Sequence, residues 1–245
     1  MSDREVITRG NLPHWYRPGA AHFVTYRLVD TLPVDVMNRL QEERTVRLRL
    51  PPMEGDSPQK HKALVHKQFF AAYDRYLDQA ACVRWLQDPA VAQVIVDNLY
   101  HHHQVKYQLL EYVVMPNHVH VLFVPLETNA GSVLHVANAA SVRESKLDFF
   151  SDETADSLSP LSQIMHSLKS YTANEANKLL DRDGRFWQKE SYDHWVRVES
   201  ELARIAEYIA HNPVNAGLVK NAWDWPYCSA FDRKHPRAKR LADWW

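Results

Sequence analysis

Residues 105–125, VKYQLLEYVVMPNHVHVLFVP, carry the strongest structural signal in the chain. Residues 105–114 and 118–125 are rich in β-branched and aromatic side chains, which favour strands. The Met115-Pro116-Asn117 segment between them is typical of a tight turn. The two strands are therefore predicted to pair as an antiparallel hairpin.

Further strands and several helices are predicted around this hairpin. Strand patterns recur at 22–29 and 192–198, and the Pro- and Gly-containing segment 12–20 is expected to be a loop. Helical spacing or capping signals mark five segments: 35–46, 61–79, 89–102, 161–180 and 199–211. Pro213 is expected to end the last helix. Strands and helices do not alternate, so we predict the α+β class, an antiparallel sheet with helices packed on one face.

The domain organisation follows from length and local composition. A chain of 245 residues fits one large domain, here 1–245, with room for insertions. Insertions are expected near 33–60 and 126–158, because the first is rich in proline and charge and the second is acidic and rich in serine. Residues 231–245 are expected to form a basic C-terminal tail.

Composition limits the classes of protein to consider. Hydrophobic residues make up 45% and charged residues 24%, as in soluble globular proteins. The formal net charge is −1, so any contact with nucleic acid must come from local basic patches. Two cysteines are too few for a disulfide framework. With no signal peptide and no membrane-spanning apolar run in the sequence, a cytoplasmic protein without a membrane partner is expected.

His118 and His120 form the first candidate site. Alternate side chains of a strand project from the same face, so both imidazoles are expected to point the same way. Imidazole is a common ligand for divalent metals, and two polar rings interrupt an otherwise apolar strand. A structural role remains equally compatible with the motif alone. His101 and His103 repeat the spacing at a predicted helix end, where they would diverge into solvent.

Tyr208 and Asn212 form the second candidate, one turn apart on the predicted helix 199–211 and the residues after it. Their i, i+4 spacing places them on one face. A tyrosine there can attack an electrophile while the amide binds a metal nearby, although a phenol with a pKa of about 10 needs activation. The residues alone favour the structural alternative, a half-buried helix tyrosine and a helix-ending asparagine.

Five stretches together resemble one known family, the REP-associated tyrosine transposases, relatives of the single-tyrosine HUH transposases of small insertion sequences. They read LPHWYRPGAAHFVTYRL (12–28), MPNHVHVLF (115–123), FWQKESYDHWVR (186–197), AEYIAHNPVNAGLV (206–219) and WDWPYCSA (223–230). The resemblance covers about 11–30 and 105–232.

The resemblance implies a fold, a site and partners. The fold would be the ferredoxin-like antiparallel sheet of HUH endonucleases. His118 and His120 would bind Mg²⁺ or Mn²⁺, with Asn212 as third ligand where related insertion-sequence enzymes use Gln. Tyr208 would be the nucleophile. The implied substrate is single-stranded DNA that folds into hairpins, and the implied assembly is a monomer or a homodimer.

The implied activity is a metal-dependent single-strand DNA endonuclease and strand transferase that forms a covalent 5′-phosphotyrosine intermediate. Two alternatives stay open: a hairpin-binding protein that has lost cleavage, and a phosphodiesterase in which a metal-bound water attacks. Tyr171 is a rival nucleophile, since Asn174 and Glu175 follow it at helical spacing. The N-P register of the resemblance favours Tyr208.

Basic and aromatic residues interleave between 182 and 197. Cations follow the phosphates of a single strand and rings stack on its bases, so this segment is predicted to bind DNA. An alternative is a charged surface above a pair of core aromatic rings. The predicted DNA-binding residues are Arg182, Arg185, Trp187, Lys189 and Arg197.

Overall fold

The computed structural model of the protein describes residues 6–9, 13–80, 82–126 and 159–235. Its strands are β1 (Val6–Arg9), β2 (Pro13–Tyr16), β3 (His22–Arg27), β4 (Tyr107–Val114), β5 (His118–Pro125) and β6 (Tyr192–Trp195). Its helices are α1 (Val34–Arg49), α2 (Pro58–Gln79), α3 (Pro89–His101), α4 (Pro160–Leu179), α5 (Glu199–Asn215) and α6 (Ser229–Lys234). The expected insertion from residue 127 onward and the tail from residue 236 lie outside the described residues.

The predicted hairpin is confirmed and lies at one side of a four-stranded sheet. Strands β4 and β5 pair antiparallel, with Val114 opposite Val119. The sheet order is β4-β5-β3-β6, and every neighbouring pair is antiparallel. This is the ferredoxin-like order, in which the first strand of the sheet separates the third from the fourth. The predicted α+β class is confirmed.

Helices cover both faces of the sheet, not one as expected. On one face, Val119, Val121 and Phe123 of β5 join a core that includes residues of α3 and α4. On the other, Leu122 joins a core that includes residues of α1, α2 and α5. The physical reason is that β3 is buried along its whole length, so neither of its faces can be left in water.

Pro213 does not end helix α5, contrary to the prediction. The helix continues to Asn215, with the buried ring of Pro213 inside it. The chain turns away from the helix two residues later at Gly217, whose φ of 70° suits glycine. The Leu218 amide donates to the Pro213 carbonyl at 2.9 Å and the Gly217 amide to Val214 at 3.0 Å, which closes a Schellman motif. Burial of Pro213 and this cap offset the hydrogen bond that proline cannot make.

The segment 12–20 is only partly a loop. Residues 13–16 form β2, whose backbone pairs antiparallel with β1 in a separate two-stranded sheet. A partner strand upstream, which local composition did not suggest, orders this Pro-containing segment.

Among the described helices, none combines the length and the apolar character needed to cross a bilayer.

Candidate active site

The two histidines of β5 share one face of the sheet, as predicted. His118 and His120 are fully buried, and their Nε2 atoms lie 3.1 Å apart. Their ring centroids are 4.6 Å apart. Neither ring faces solvent, so their polar atoms need partners inside the protein.

Asn117 orients the ring of His118. The Asn117 amide nitrogen donates to the Leu77 carbonyl at 2.8 Å and the Ala80 carbonyl at 3.1 Å, both at the end of α2. Its Oδ1 therefore faces Nδ1 of His118, 2.6 Å away. Because an amide oxygen only accepts, Nδ1 carries the proton and the lone pair of Nε2 points into the site.

Asp74 of α2 completes a cluster that the sequence interpretation missed. Its Oδ1 lies 3.1 Å from Nε2 of His120 and 3.9 Å from Nε2 of His118. One ligand atom from each of the three residues falls within 4.8 Å of the others. A signal was present: Asp74 follows Phe70 by four residues and precedes Leu77 by three, so a carboxylate occupies the apolar stripe of its helix.

The cluster fits a divalent cation. Two imidazole nitrogens and a carboxylate oxygen are donors that such ions use. Among the described residues, Oδ1 of Asp74 is buried without a hydrogen-bond partner, although Nε2 of His120 lies 3.1 Å away. Oδ1 of Asn212 is also buried and unpartnered among the described residues. Both oxygens are therefore available to a cation.

Tyr208 lies against the same cluster. Its hydroxyl donates a short hydrogen bond to Oδ2 of Asp74 and accepts one from Nδ2 of Asn212 at 3.2 Å. The Tyr208 and His120 ring centroids are 5.5 Å apart. The structure thus brings together four predicted site residues, His118, His120, Tyr208 and Asn212. Asn212 joins the group through its hydrogen bond to Tyr208. The role of Asn212 as a metal ligand stays a prediction.

Burial and neighbouring charges set the protonation of these groups. Burial raises the pKa of Asp74. His120, His118 and the Tyr208 hydroxyl lower it by more than burial raises it, so the net pKa is about 2. Burial lowers the pKa of His118 to about 3, helped by His120 and opposed by Asp74. Burial, Asp74 and Asp78 raise the pKa of Tyr208 well above its usual range. At neutral pH the site therefore holds an ionised carboxylate, a neutral His118 and a protonated phenol.

Tyr171, the rival nucleophile, lies on the opposite side of the four-stranded sheet from the two histidines. It belongs to α4, which packs against the opposite face from the histidines, and it is 54% exposed. Its hydroxyl is therefore separated from the Asp74–histidine cluster by the sheet itself. This placement supports Tyr208 as the candidate nucleophile.

The predicted DNA-binding cluster is partly wrong. Trp187 is 4% exposed, and its indole donates to Thr172 Oγ1 at 2.9 Å within the core. A ring in this position cannot stack on a base, because the core already encloses it. Spacing alone could not distinguish a core ring from an exposed one.

The four basic residues of that prediction do not form one cluster. Arg182 is half-buried, with its guanidinium 3.8 Å from the Trp85 ring centroid. Arg185 and Lys189 are exposed and precede β6, whereas Arg197 is exposed and follows it. Strand β6 therefore separates Arg197 from the others. Their roles in DNA binding stay predictions.

Comparison with known proteins gives one sequence match. No protein-family model matches the chain. A segment of 68 residues, 28% of this chain, is 35% identical to a Haemophilus influenzae protein with the provisional name REP-associated tyrosine transposase. The match spans 38% of that relative's length.

A solved structure also aligns with the chain. It is described as a REP-associated tyrosine transposase bound to a REP hairpin, and the alignment covers 92% of this chain and 84% of that one. The TM-score is 0.46 and the identity 16%, a level of likeness from which function does not follow. The sequence match confirms the predicted resemblance: this chain is similar to REP-associated tyrosine transposases.

Proposed function

We propose that this protein is a metal-dependent endonuclease and strand transferase that cuts single-stranded DNA at hairpins through Tyr208. One observation carries the proposal: a single carboxylate, Asp74, contacts the candidate nucleophile through Oδ2 and the histidine pair through Oδ1. The nucleophile and the candidate metal ligands therefore converge on one point. The name of the Haemophilus influenzae relative supports the same class of reaction.

The residues of the site have separate tasks in the proposed reaction. His118, His120 and Asp74 would hold Mg²⁺ or Mn²⁺, with Asn212 as a further oxygen donor. A divalent cation bound there would polarise a phosphoryl oxygen and stabilise the charge that develops on it. Asn117 and Thr25 hold the two imidazoles in place through their Nδ1 atoms.

Tyr208 supplies the attacking oxygen. A bond forms between the phenolic oxygen and phosphorus while the bond from phosphorus to the DNA 3′ oxygen breaks. The phenolic proton is lost from Tyr208 and one proton is gained by the 3′ oxygen, which leaves a 5′-phosphotyrosine and a free 3′-hydroxyl. Asp74 orients the Tyr208 hydroxyl through its hydrogen bond. One phosphodiester replaces another, so a 3′-hydroxyl can reverse the step and join strands.

The test is the formation of a covalent adduct. Labelled single-stranded hairpins from palindromic genomic repeats are incubated with the protein and Mn²⁺, then separated on a denaturing protein gel. The proposal predicts a labelled protein band that disappears with EDTA. Cleaved DNA without an adduct would instead support attack by a metal-bound water, and bound but uncut DNA would support a binding protein.

A further inference from the structure

Helices α1 and α2 form an antiparallel arm. The Arg39 guanidinium donates to the Tyr76 hydroxyl at 2.5 Å, and near the other end of α1 that of Arg47 donates to Gln68 Oε1 at 2.5 Å. The contacted residue numbers fall along α2 as they rise along α1, so the two helices run in opposite directions. Leu40 is the one buried residue of α1. The helix is therefore held mainly by α2, and most of its surface is exposed.

Exposed apolar side chains gather where the two helices meet the loop between them. Among the described residues, four of the ten exposed large apolar residues belong to this end of the arm: Val46, Leu50, Met53 and Leu64. Their exposed fractions range from 40% to 73%. We call these four residues the apolar tip. Single exposed apolar residues are ordinary, but a group of them with charged neighbours is typical of a protein interface.

Hydrogen bonds around Arg47 bring the two helices of the tip together. Val46 and Leu50 are one helical turn apart and share a face of α1. The Arg47 carbonyl accepts from the Leu50 amide at 3.2 Å and from His61 Nε2 at 3.0 Å. His61 of α2 therefore lies beside the end of α1. Leu64 follows His61 by about one turn on the same face of α2, so it too lies close to this end of α1.

The loop between the helices is conformationally restricted. Pro51 and Pro52 fix their own φ angles, and the Asp56 amide donates to the Met53 carbonyl at 2.9 Å, which closes a tight turn. Gly55 in that turn has a φ of 84°, a conformation that suits glycine. The apolar tip is thus presented on a backbone with little freedom. A partner that covered it would order few further residues, which lowers the entropic cost of binding.

The charges of this loop are complementary to themselves. Residues 49–54 read RLPPME, with a cation at one end, an anion at the other and apolar residues between them. Arg49 and Glu54 are both exposed, and neither side chain forms an ion pair with another described residue. If two such loops lie side by side in opposite directions, each Arg49 faces a Glu54 and each Leu50 faces a Met53. A surface that matches itself in this way suits an isologous interface about a two-fold axis.

We propose that two copies of this chain associate through the apolar tip, with Arg49 of each copy beside Glu54 of the other. Charge complementarity selects a second copy as the partner, because each cation of the loop then meets an anion and like charges stay apart. Leu64 lies roughly 15 Å along α2 from the candidate metal ligand Asp74. The interface is thus separate from the candidate active site, and the pairing does not depend on the proposed nuclease activity.

The test is sedimentation velocity of the full chain across micromolar concentrations, in EDTA and without DNA, so that neither a metal nor DNA bridges two molecules. Because the apolar tip is small, association should be weak, and wild-type protein should change from monomer to dimer within this range. Arg49→Glu or Glu54→Arg alone should weaken association roughly tenfold or more, because like charges then meet twice in each dimer. The double variant Arg49→Glu with Glu54→Arg restores both pairs and should associate like the wild type.

Met53→Asp tests the apolar part of the interface. It should weaken association roughly tenfold or more, yet leave the urea denaturation midpoint near that of the wild type, because Met53 is 73% exposed. Val105→Asp introduces the same charge at a residue that is 58% exposed and lies outside the arm, and it should associate normally. Wild-type protein that stays monomeric, single charge variants that associate like the wild type, a double variant that associates as weakly as they should, unchanged association of Met53→Asp, or equal weakening by Val105→Asp would each overturn the proposal.

Discussion

The two faces of β5 are built for different purposes. Val119, Val121 and Phe123 point into an apolar core with α3 and α4. His118 and His120 alternate with these residues and point to the opposite face, into a buried polar cluster beneath α2 and α5. A strand alternates its side chains with a period of two, so one eight-residue segment contributes to both.

The difference shows how a protein keeps a polar cluster in its interior. The apolar face needs only shape and volume, because its side chains have no polar atoms to satisfy. On the site face each histidine has a specific partner: Asn117 for His118 and Thr25 for His120. Substitutions on the apolar face should therefore lower the unfolding free energy. Substitutions on the face with the two histidines should instead change Mn²⁺ affinity and adduct yield.

The largest effect is expected for Tyr208→Phe. Without the hydroxyl there is no nucleophile, so adduct formation should fall by roughly a thousandfold or more, to background. Unfolding free energy should fall by only about 1–3 kcal/mol, because the buried Asp74 oxygen loses its donor. Adduct yield on denaturing gels and urea denaturation measure the two quantities. Tyr171→Phe, on the other face of the sheet, is the control and should give normal adduct yield; the reverse result would assign the nucleophile to α4.

Asp74→Asn should weaken metal binding strongly. It replaces a charged oxygen ligand with a neutral amide of the same shape, so Mn²⁺ affinity should fall by about 10- to 100-fold or more. Calorimetric titration measures this directly. Asp97→Asn, an exposed carboxylate on α3, should leave Mn²⁺ affinity unchanged. Wild-type affinity in Asp74→Asn would remove Asp74 from the metal site.

Phe123→Ala and His120→Ala compare the two faces of β5 directly. Phe123→Ala should lower the unfolding free energy by about 3–5 kcal/mol, because it opens a cavity in the core. Its adduct yield per folded molecule should stay near normal. His120→Ala should abolish adduct formation and Mn²⁺ binding. Urea denaturation and adduct assays on both variants check the contrast, which fails if Phe123→Ala loses activity while fully folded.

Thr25→Val removes the hydroxyl that contacts Nδ1 of His120 and leaves the shape of the side chain nearly unchanged. The Thr25 hydroxyl lies 2.7 Å from Nδ1 of His120, and its removal should weaken Mn²⁺ binding about tenfold because the ring is less firmly oriented. Thr172→Val removes the partner of the Trp187 indole on the other face. Both variants should lose about 1 kcal/mol of stability, but only Thr25→Val should change the Mn²⁺ titration.

The smallest effect is expected for Asn212→Ala. A neutral amide oxygen is a weaker ligand than imidazole, so cleavage and Mn²⁺ affinity should fall by less than in His120→Ala. The ranking is measured by titrating both variants in parallel. An Asn212→Ala variant as defective as His120→Ala would place this residue among the essential ligands.

Local patterns were reliable where local physics decides structure. The β4–β5 hairpin, the orientation of His118 and His120 and the contact between Tyr208 and Asn212 follow from strand alternation and helix periodicity. Trp187 and Pro213 were misjudged because tertiary packing overrides local preference. Burial of the Trp187 ring and of the Pro213 ring each depends on partners distant in sequence.

The sequence by itself determined which residues share a face, because side-chain direction depends only on the backbone period within one element. Only the tertiary structure decided what that face meets. Asp74 and His118 are far apart along the chain, and no spacing rule connects a position in α2 with one in β5. The packing of α2 across the sheet brings its carboxylate between Tyr208 and the two imidazoles. Relative placement of separate elements follows from long-range burial, and burial is a property of the folded chain as a whole.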